Sequence, residues 1–335
     1  MSNEELRANR THVLQAASKY PLGGPWYRER SADWSKVTVP FLSSSNYGGT
    51  GLHARGNYEA FTRAASLQKW LEVHAGRHDE AFYLDDGMAL QKRFLDHFLK
   101  GVDNGWGREP PVLLQKRRPT KPFGEVRKED TWPLPRTWWT MFHLSASDRS
   151  LSASVPNGRD NATFHAMEDD LLFQSEPLSH ETEITGPLAA KHFVSSTSSD
   201  ADLFLTFQAF AADGAEVEFQ SAWDPHPPLG QGWLRASHRK LDDALSKPYR
   251  PYHNHDELQP LEPNQVYELD VEIWPTSIIL PAGYRFAVSV AGRDFQRPEA
   301  VSNESVFWNA RGSGPFLHTH AEGRGSATFA AQTTI

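Results

Sequence analysis

The sequence predicts an α/β region over residues 1–118, a linker over 119–136 and an all-β region over 137–335. In the first region, short apolar segments alternate with helical patterns, which is typical of a parallel sheet covered by helices. The linker is rich in proline and charge. Beyond it, short strand patterns separated by turns indicate a β-sandwich or jelly roll, because helical periodicity is nearly absent.

The first region opens with a predicted amphipathic helix over 1–19, which ends at the prolines and glycines of 21–25. Residues 37–42 are almost continuously apolar, as expected for a strand with both faces covered. The elements that follow are a glycine-rich turn over 46–51, a helix from about His53 to Ala65 and a second strand over 70–74.

The last helix of the α/β region is predicted to begin at Asp85, which we expect to cap it, because apolar residues then recur at helical spacing as far as Leu99. Gly101 stands where the residue just past a helix is expected. A strand is predicted over 112–115. The basic run at 116–118 is predicted to be a solvated strand end.

Several strand and turn signals mark the all-β region. Residues 202–210 and 217–219 lie on either side of an Asp-Gly pair, which predicts a hairpin. Residues 266–273 alternate apolar and acidic or polar side chains, so one face of that strand should be solvated. Residues 277–280 and 284–290 are expected to form a strand pair. A short helical pattern near 241–245 is the exception.

Composition excludes some classes of function. A chain without cysteine has no disulfide, thiolate nucleophile or zinc–thiolate site. Its formal net charge of −8 argues against a surface for nucleic acid or anionic membranes. The first residues are polar, and no apolar run approaches the roughly 18 residues that span a bilayer. We therefore expect a cytoplasmic protein with no nucleic-acid or membrane partner.

His78 is the first candidate for chemistry. It follows the strand over 70–74 and precedes a helix, which places it at the predicted carboxyl edge of the sheet, where catalytic side chains gather. A neutral imidazole there can take a proton from a nucleophile and return it to a leaving group. A loop histidine with no role is the alternative, since the chain has 15 histidines.

The acid that would orient this histidine should follow the preceding strand, but no carboxylate occurs between Leu42 and Glu59. Asn46 can orient an imidazole but supplies no charge to stabilise imidazolium. We expect this loop to be a structural turn. It remains open that one of its serines, Ser43, Ser44 or Ser45, is an unrecognised nucleophile, although the strained strand-to-helix elbow is missing.

Two His-x-His pairs, His253 with His255 and His318 with His320, suggest a metal site, because side chains at i and i+2 share one face of a strand. A cupin-like jelly roll would be the concrete form of this alternative. Both pairs, however, lie in predicted loops beside proline or glycine. We therefore expect surface or interdomain hydrogen bonding by these histidines, and no metal.

The order of several segments resembles the X-Pro dipeptidyl-peptidase and cocaine-esterase-like hydrolase family. No single segment is decisive, but together they extend over nearly the whole chain. The segments that carry the resemblance are 70–101, 104–112, 132–135, 185–188, 199–202, 232–239, 261–268 and 281–286.

This resemblance implies the end of an α/β-hydrolase domain followed by a jelly-roll domain, and Ser–His–Asp acyl transfer on esters or amides without metal or cofactor. By position, His78 matches the family's catalytic histidine, although its Gly-Arg-His context departs from the family's usual one. The acid position falls at or near Gly49, so the acid does not carry over. The family's Gly-x-Ser-x-Gly nucleophile segment does not occur in the sequence.

We therefore expect a portion of a serine hydrolase that is inactive alone, from a truncated or split gene. In the intact family the substrate is a small acyl ester or peptide. The expected partners of this chain are a second copy or a separate N-terminal half. A non-catalytic β-sandwich binding module is the alternative function.

Overall fold

The computed structural model describes residues 2–9, 13–49, 53–77, 79–156, 158, 160–166, 168–220, 227–293, 295, 326–330 and 333–334. Within them the fold has an α/β region followed by strands of a β-sandwich. The elements of the first region are α1 (Asn3–Ala8), α2 (Val13–Lys19), α3 (Pro25–Arg28), β1 (Phe41–Asn46), α4 (Ala54–Arg63), β2 (Lys69–His74), α5 (Glu80–Tyr83), α6 (Asp85–Lys100), β3 (Val112–Gln115) and β4 (Val126–Glu129).

The first sheet has the strand order β1-β2-β3-β4. β1, β2 and β3 are parallel, and β4 is antiparallel to β3. The inward face of β2 places Leu71 and Val73 against Val112 and Leu114 of β3. On the opposite face, Trp70 packs against aromatic side chains of α6 and of the turn after it, namely Phe94, Phe98 and Trp106.

The strand predicted over 37–42 is displaced along the chain, because β1 begins at Phe41. Pro40 has no N–H to donate, and pairing starts directly after it, where the Phe41 N–H donates to Gln68 O at 3.1 Å. The structural turn expected directly after Leu42 is therefore wrong for residues 43–46, which are strand, and the chain turns at 47–48, within the glycine-rich turn predicted over 46–51. Asp85 is not the cap of α6 either. Leu84 occupies that position, and Asp85 lies in the first helical turn.

The helix expected over 1–19 is described as two helices, α1 and α2, and residues 10–12 between them lie outside the described residues. Gly101 ends α6 with a left-handed φ of 68°, as predicted. The segment 119–136, treated above as a linker, contains β4, and Trp132 and Leu134 are buried in the core of the first sheet. Most of that segment therefore belongs structurally to the α/β region.

The strands after residue 140 are connected in one continuous order, and we call this part the β module. In chain order its strands are β5 (His143–Leu144), β6 (Ser150–Ser152), β7 (Asn161–His165), β8 (Asp170–Ser175), β9 (Thr182–Ser196), β10 (Asp202–Phe210), β11 (Gly230–Arg235), β12 (Tyr267–Leu280), β13 (Arg285–Ala291), β14 (Ser326–Ala330) and β15 (Thr333–Thr334). Their spatial order is β15-β5-β6-β8-β13-β10-β11-β12-β9-β14-β7.

The β module has its own large apolar core, to which β8, β9, β10, β12 and β13 all contribute. The turn expected between 210 and 217 is present, since Phe210 bridges to Glu216 and the Val217 N–H donates to Ala209 O. The strand pair expected between 277–280 and 284–290 is wrong. β12 pairs with β9 and β11, whereas β13 pairs with β8 and β10. The helical pattern near 241–245 is a turn.

Among the residues that the structure describes, no helix is long and apolar enough to cross a membrane.

Candidate active site

The carboxyl ends of β1 and β2 lie side by side because the two strands are parallel and in register, with Asn46 opposite His74. Side chains that follow such strands share one edge of the sheet, where ligands bind in open α/β folds. The chain turns sharply after β1, since the Gly49 N–H donates to Asn46 O at 3.2 Å. Gly49, the position implied for the triad acid, supplies no carboxylate at this edge.

The loop after β2, residues 75–77, is held by both neighbouring strands. The Asn46 Nδ2 group of β1 donates to Gly76 O at 3.0 Å and lies 3.4 Å from His74 O. From β3, Gln115 Oε1 accepts a hydrogen bond from the Ala75 N–H at 2.7 Å. The sheet therefore fixes the backbone that leads directly to position 78. His78 itself lies outside the described residues, as do residues 50–52.

Two of the three serines of β1 donate hydrogen bonds, and the hydroxyl of the third, Ser45, is buried without a hydrogen-bond partner among the described residues. Ser43 Oγ donates to Asn57 O of α4 at 3.2 Å, and Ser45 is buried. Ser44 Oγ donates to the carboxylate of Glu72. Since all three lie within a regular strand and not on a strand-to-helix elbow, their geometry gives no support for a nucleophile there.

A carboxylate–imidazole pair on β2 was missed by the sequence analysis. Glu72 Oε2 lies 2.9 Å from His74 Nδ1, and His74 Nε2 is buried with no hydrogen-bond partner among the described residues. The signal was available, because side chains at i and i+2 share one face of a strand. The pair lies on the same face as Ser44, whose hydroxyl completes the chain of contacts.

The β module closes one side of this edge. A small opening between the two regions is lined by Asn46, Tyr47 and Tyr58 on one wall and by Trp233 and Trp274 on the other. The two tryptophans contact edge to face, with ring centroids 5.1 Å apart. The hydroxyl group of Tyr58 is buried without a hydrogen-bond partner among the described residues, and burial raises the pKa of Tyr47 to about 12.

Arg117 joins the two regions and contacts Tyr47, which lines the opening. The side chain is only 1% exposed, so the predicted solvated strand end is wrong for this residue. Its guanidinium donates to Thr276 Oγ1 and to Ser277 O, and it stacks between the rings of Tyr47, at 4.4 Å, and Phe219, at 4.7 Å. Burial lowers the pKa of Arg117 to about 10.

The pair His253 and His255 meets a third histidine. His255 Nδ1 lies 3.1 Å from His238 Nδ1, so one ring donates and the other accepts. Burial, reinforced by the neighbouring histidines and Arg55, lowers the pKa of His253 and of His255 to about 4. In the described part of the chain, no three His, Asp or Glu side chains are placed to hold a metal ion. His318 and His320 lie outside the described residues.

The sheet with its polar carboxyl edge, followed by a β-sandwich, defines a hydrolase-type architecture, and comparison with known proteins identifies the family. Residues 104–307 match the X-Pro dipeptidyl-peptidase C-terminal non-catalytic domain. This match extends over more than half of the chain, which therefore belongs to that family. The resemblance inferred from the sequence is thereby confirmed.

Two relatives carry esterase names. A Mycobacterium bovis protein named as a serine esterase is 29% identical over 245 residues, which are 62% of this chain and 36% of the relative. The cocaine esterase of a Rhodococcus species is 24% identical over 258 residues, 66% of this chain and 40% of that enzyme. The chain thus spans well under half the length of these relatives.

Solved structures support the same assignment. A CocE/NonD family hydrolase from Staphylococcus aureus superposes with a TM-score of 0.87 and 26% identity, over 97% of this chain and 59% of that one. An α-amino acid ester hydrolase shares the fold, with a TM-score of 0.65 and 14% identity over 98% of this chain and 60% of that one.

Proposed function

We propose that this chain forms the C-terminal portion of a serine hydrolase that cleaves ester or X-Pro amide bonds through an acyl-enzyme. One observation carries the proposal: the loop after β2 is fixed at the carboxyl edge from both sides, by Asn46 and by Gln115. This loop, residues 75–77, directly precedes His78 in the sequence. The likeness to a CocE/NonD hydrolase over nearly the whole chain supports the same reaction class.

In the proposed mechanism His78 is the general base. Its imidazole takes the proton of a serine hydroxyl as that oxygen attacks the substrate carbonyl, and it returns the proton to the leaving alcohol or amine. A water molecule then cleaves the acyl-enzyme by the same route. The tryptophan-lined wall of the β module would face the acyl group of the substrate.

The nucleophile is proposed to come from outside these 335 residues, because they contain no Gly-x-Ser-x-Gly. The matching partner is an N-terminal hydrolase segment, as part of a longer chain or as a separate one. We propose that this N-terminal segment pairs with the outer edge of β1. Among the described strands, β1 pairs only with β2, so its outer edge is free to accept another strand.

These residues alone should not turn over activated esters or X-Pro anilides, and a fluorophosphonate probe should label no serine. Co-expression with the N-terminal segment of the S. aureus CocE/NonD hydrolase should restore labelling of the serine in that segment. His78→Ala should abolish the restored labelling, whereas His180→Ala, at an exposed position in the β module, should not. Labelling of a serine in the chain alone, lost in His78→Ala, would contradict the proposed division of the active site.

A second candidate is a non-catalytic β-sandwich binding module, which the non-catalytic family match over 104–307 favours. Under this alternative, co-expression restores no labelling and His78→Ala changes nothing measurable. For either function we propose the cytoplasm as the compartment, since the sequence contains no cysteine.

A further inference from the structure

Three histidines of the β module lie together at its boundary with the α/β region, and the proposed reaction does not use them. We call His238, His253 and His255 the histidine cluster. His238 ends a turn of 3₁₀ helix and is only 9% exposed, whereas the other two lie in the loop 250–256 and are half-buried. The ring centroid of His255 is 5.2 Å from that of His238 and 5.8 Å from that of His253.

The loop 250–256 is a direct contact between the two regions. Arg250 forms an ion pair with Glu59 of α4, and the Gly23 N–H donates to His255 O. A β-carbon at position 23 would lie 3.2 Å from His255 O, so the N-terminal segment approaches the loop closely. The residue that meets this segment through its backbone therefore meets the cluster through its ring.

The backbone of His255 is strained. Its φ is 50°, in the left-handed region that residues other than glycine rarely adopt. Such a conformation persists only where the surrounding contacts hold it in place. Here those contacts are the one from Gly23 and the one between the rings of His255 and His238.

The contact between these two rings tolerates one hydrogen and excludes a second. His238 Nδ1 and His255 Nδ1 are 3.1 Å apart, so one nitrogen carries the hydrogen and the other presents its lone pair. Once both rings are imidazolium, two N–H groups and two positive charges face each other. A proton on His253 is also disfavoured, because its Nε2 is buried without a hydrogen-bond partner among the described residues.

Charged groups face the cluster from every element packed against it. These groups are Arg55 of α4, Arg235 of β11, Asp202 of β10, Asp200 just before it and Asp256 of the loop, and the backbone of Asp270 in β12 hydrogen-bonds the His253 ring. The ion pairs are Arg55 with Glu272, Arg235 with Asp202 and Lys240 with Asp256.

Acid changes these charges in one direction. Burial lowers the pKa of His253 and of His255 to about 4, and burial together with Arg235 lowers the pKa of His238. Burial raises the pKa of Glu272, the partner of Arg55. Acidification therefore adds positive charge to the cluster and removes the carboxylate that offsets Arg55.

We propose that the histidine cluster is an acid-sensitive switch between the two regions: neutral, it holds the loop 250–256 against α4 and Gly23, and a second proton on the cluster releases the α/β region from the β module. The released form binds protons that the joined form excludes. The contact is therefore fully stable above about pH 6.5 and weakens as the pH falls toward about 4.

Release would also open the aromatic walls between the regions, because α4 carries Tyr58 and β12 carries Trp274. The switch does not depend on the proposed hydrolase, since it requires no reaction at this opening.

The test is amide hydrogen exchange of α4 at pH 7 and pH 5, corrected for the intrinsic exchange rate at each pH. In the parent chain, the protection of α4 should fall by on the order of tenfold for each histidine that titrates. The double variant His253→Gln/His255→Asn cannot take up these protons, and asparagine tolerates the left-handed φ at position 255. Its α4 protection at pH 5 should stay within about twofold of the value at pH 7.

His192→Leu is the matched control, because it removes a buried, titrating histidine of β9 that is not part of the cluster. It should leave the acid-induced loss of α4 protection as large as in the parent. His238→Asn is a second, milder variant, which removes the facing pair of Nδ1 atoms alone. It should shift the loss of α4 protection to lower pH.

Equal α4 protection at pH 7 and pH 5 in the parent overturns the proposal. A loss that persists undiminished in the folded double variant, or that His192→Leu suppresses, overturns it as well, because the chain then responds to acid through other groups. If the double variant does not fold, His238→Asn decides: a loss at the same pH as in the parent rejects the shared hydrogen as the switch, and a loss at lower pH supports it.

Discussion

The first sheet and the β module differ in how fully each encloses its own core. In the β module, β10 is buried along nearly its whole length, because it pairs on both sides and packs on both faces. In the α/β region, β1 has no partner strand on its outer edge among the described residues, and Ser44 of β1 is exposed. Several apolar side chains of α5, of α6 and of the residue between them are also exposed, namely Phe82, Tyr83, Leu84, Met88, Leu95 and Leu99.

This difference indicates where the stability of the chain resides. Apolar area removed from water is the main favourable contribution to folding, and side chains left in water contribute little. We therefore expect the β module to stabilise itself and the α/β region, whose own core is smaller, to depend more on its contacts with the module. Those contacts include Arg117, the ion pair between Arg55 and Glu272, and the ion pair between Arg250 and Glu59.

We expect the largest loss of unfolding free energy when a buried leucine is replaced, and one leucine in each core allows the two regions to be compared. Leu205 of β10 and Leu71 of β2 are both essentially unexposed. Replacing a buried leucine by alanine costs about 2–5 kcal/mol, and the cost is higher where the cavity cannot collapse. We expect Leu205→Ala to lower the free energy of unfolding by about 4 kcal/mol and Leu71→Ala by about 2.5 kcal/mol, since the open α/β core can relax.

Urea unfolding followed by tryptophan fluorescence measures both variants. If the two regions unfold as one unit, both substitutions shift a single transition. If the α/β region unfolds first, Leu71→Ala shifts only the earlier transition. An equal or larger loss in Leu71→Ala would reverse the comparison.

The next largest loss of unfolding free energy is expected when Arg117, which joins the two regions, is replaced. Arg117→Met leaves Ser277 O, Thr276 Oγ1 and Leu229 O without their donor. Buried acceptors left unpaired should lower the free energy of unfolding by about 2–3 kcal/mol. Arg118→Met is the control, because its pair with Glu181 is exposed and should be worth less than about 0.5 kcal/mol. Equal melting temperatures for the two variants would show that the buried guanidinium does not couple the regions.

Much of this architecture could be predicted from the sequence, because apolar periodicity reports how many faces of an element are covered. Alternation predicted the first half of β12, helical spacing predicted α6, and Gly101 marked the end of that helix. Partner strands were not predictable in this way. Strand 284–290 was assigned to its neighbour in sequence, whereas β13 pairs with β8 and β10.

For the candidate site, the sequence predicted only its location, at the carboxyl edge of the first sheet. Strand order placed the loops after β1 and β2 together, as the structure has them. Local sequence could not show that Arg117, within a basic run, is enclosed by rings from distant segments. The interaction between Asn46 and Gly76 was equally hidden, because it depends on the register of parallel strands separated by a helix.

Acidification should weaken the β module through His192, which is fully buried in β9. Burial lowers its pKa from 6.5 to about 3. The unfolded chain therefore binds a proton below pH 6.5 that the folded chain does not bind until about pH 3. Stability present above pH 6.5 is thus lost as the pH falls, by about 1.5 kcal/mol from this group between roughly pH 6.5 and 5.

His192→Leu removes this titration and should flatten the decline of unfolding free energy with acid, as measured by urea unfolding across that pH range. The same pair of proteins compared at about pH 8, where imidazole is neutral in both states, isolates the change in packing. A slope in His192→Leu as steep as that of the parent would mean that other groups cause the acid sensitivity.

The smallest loss of unfolding free energy is expected for a substitution at the C-terminal end of α6 in the α/β region. Gly101 closes α6 with a φ of 68°, and its N–H donates to His97 O at 3.1 Å. A β-carbon there meets no neighbouring atom, so Gly101→Ala tests backbone conformation alone. Because L-residues pay to adopt this conformation, we expect a loss of about 1 kcal/mol in unfolding free energy. Gly107→Ala is the control, since Gly107 also has open space around it but no left-handed φ, and its change should stay within about 0.5 kcal/mol.

If the α/β region unfolds before the β module, the Gly101→Ala loss should appear only in the earlier transition, together with that of Leu71→Ala. Its appearance in a single shared transition would instead show that the open sheet and the closed module fold as one cooperative unit.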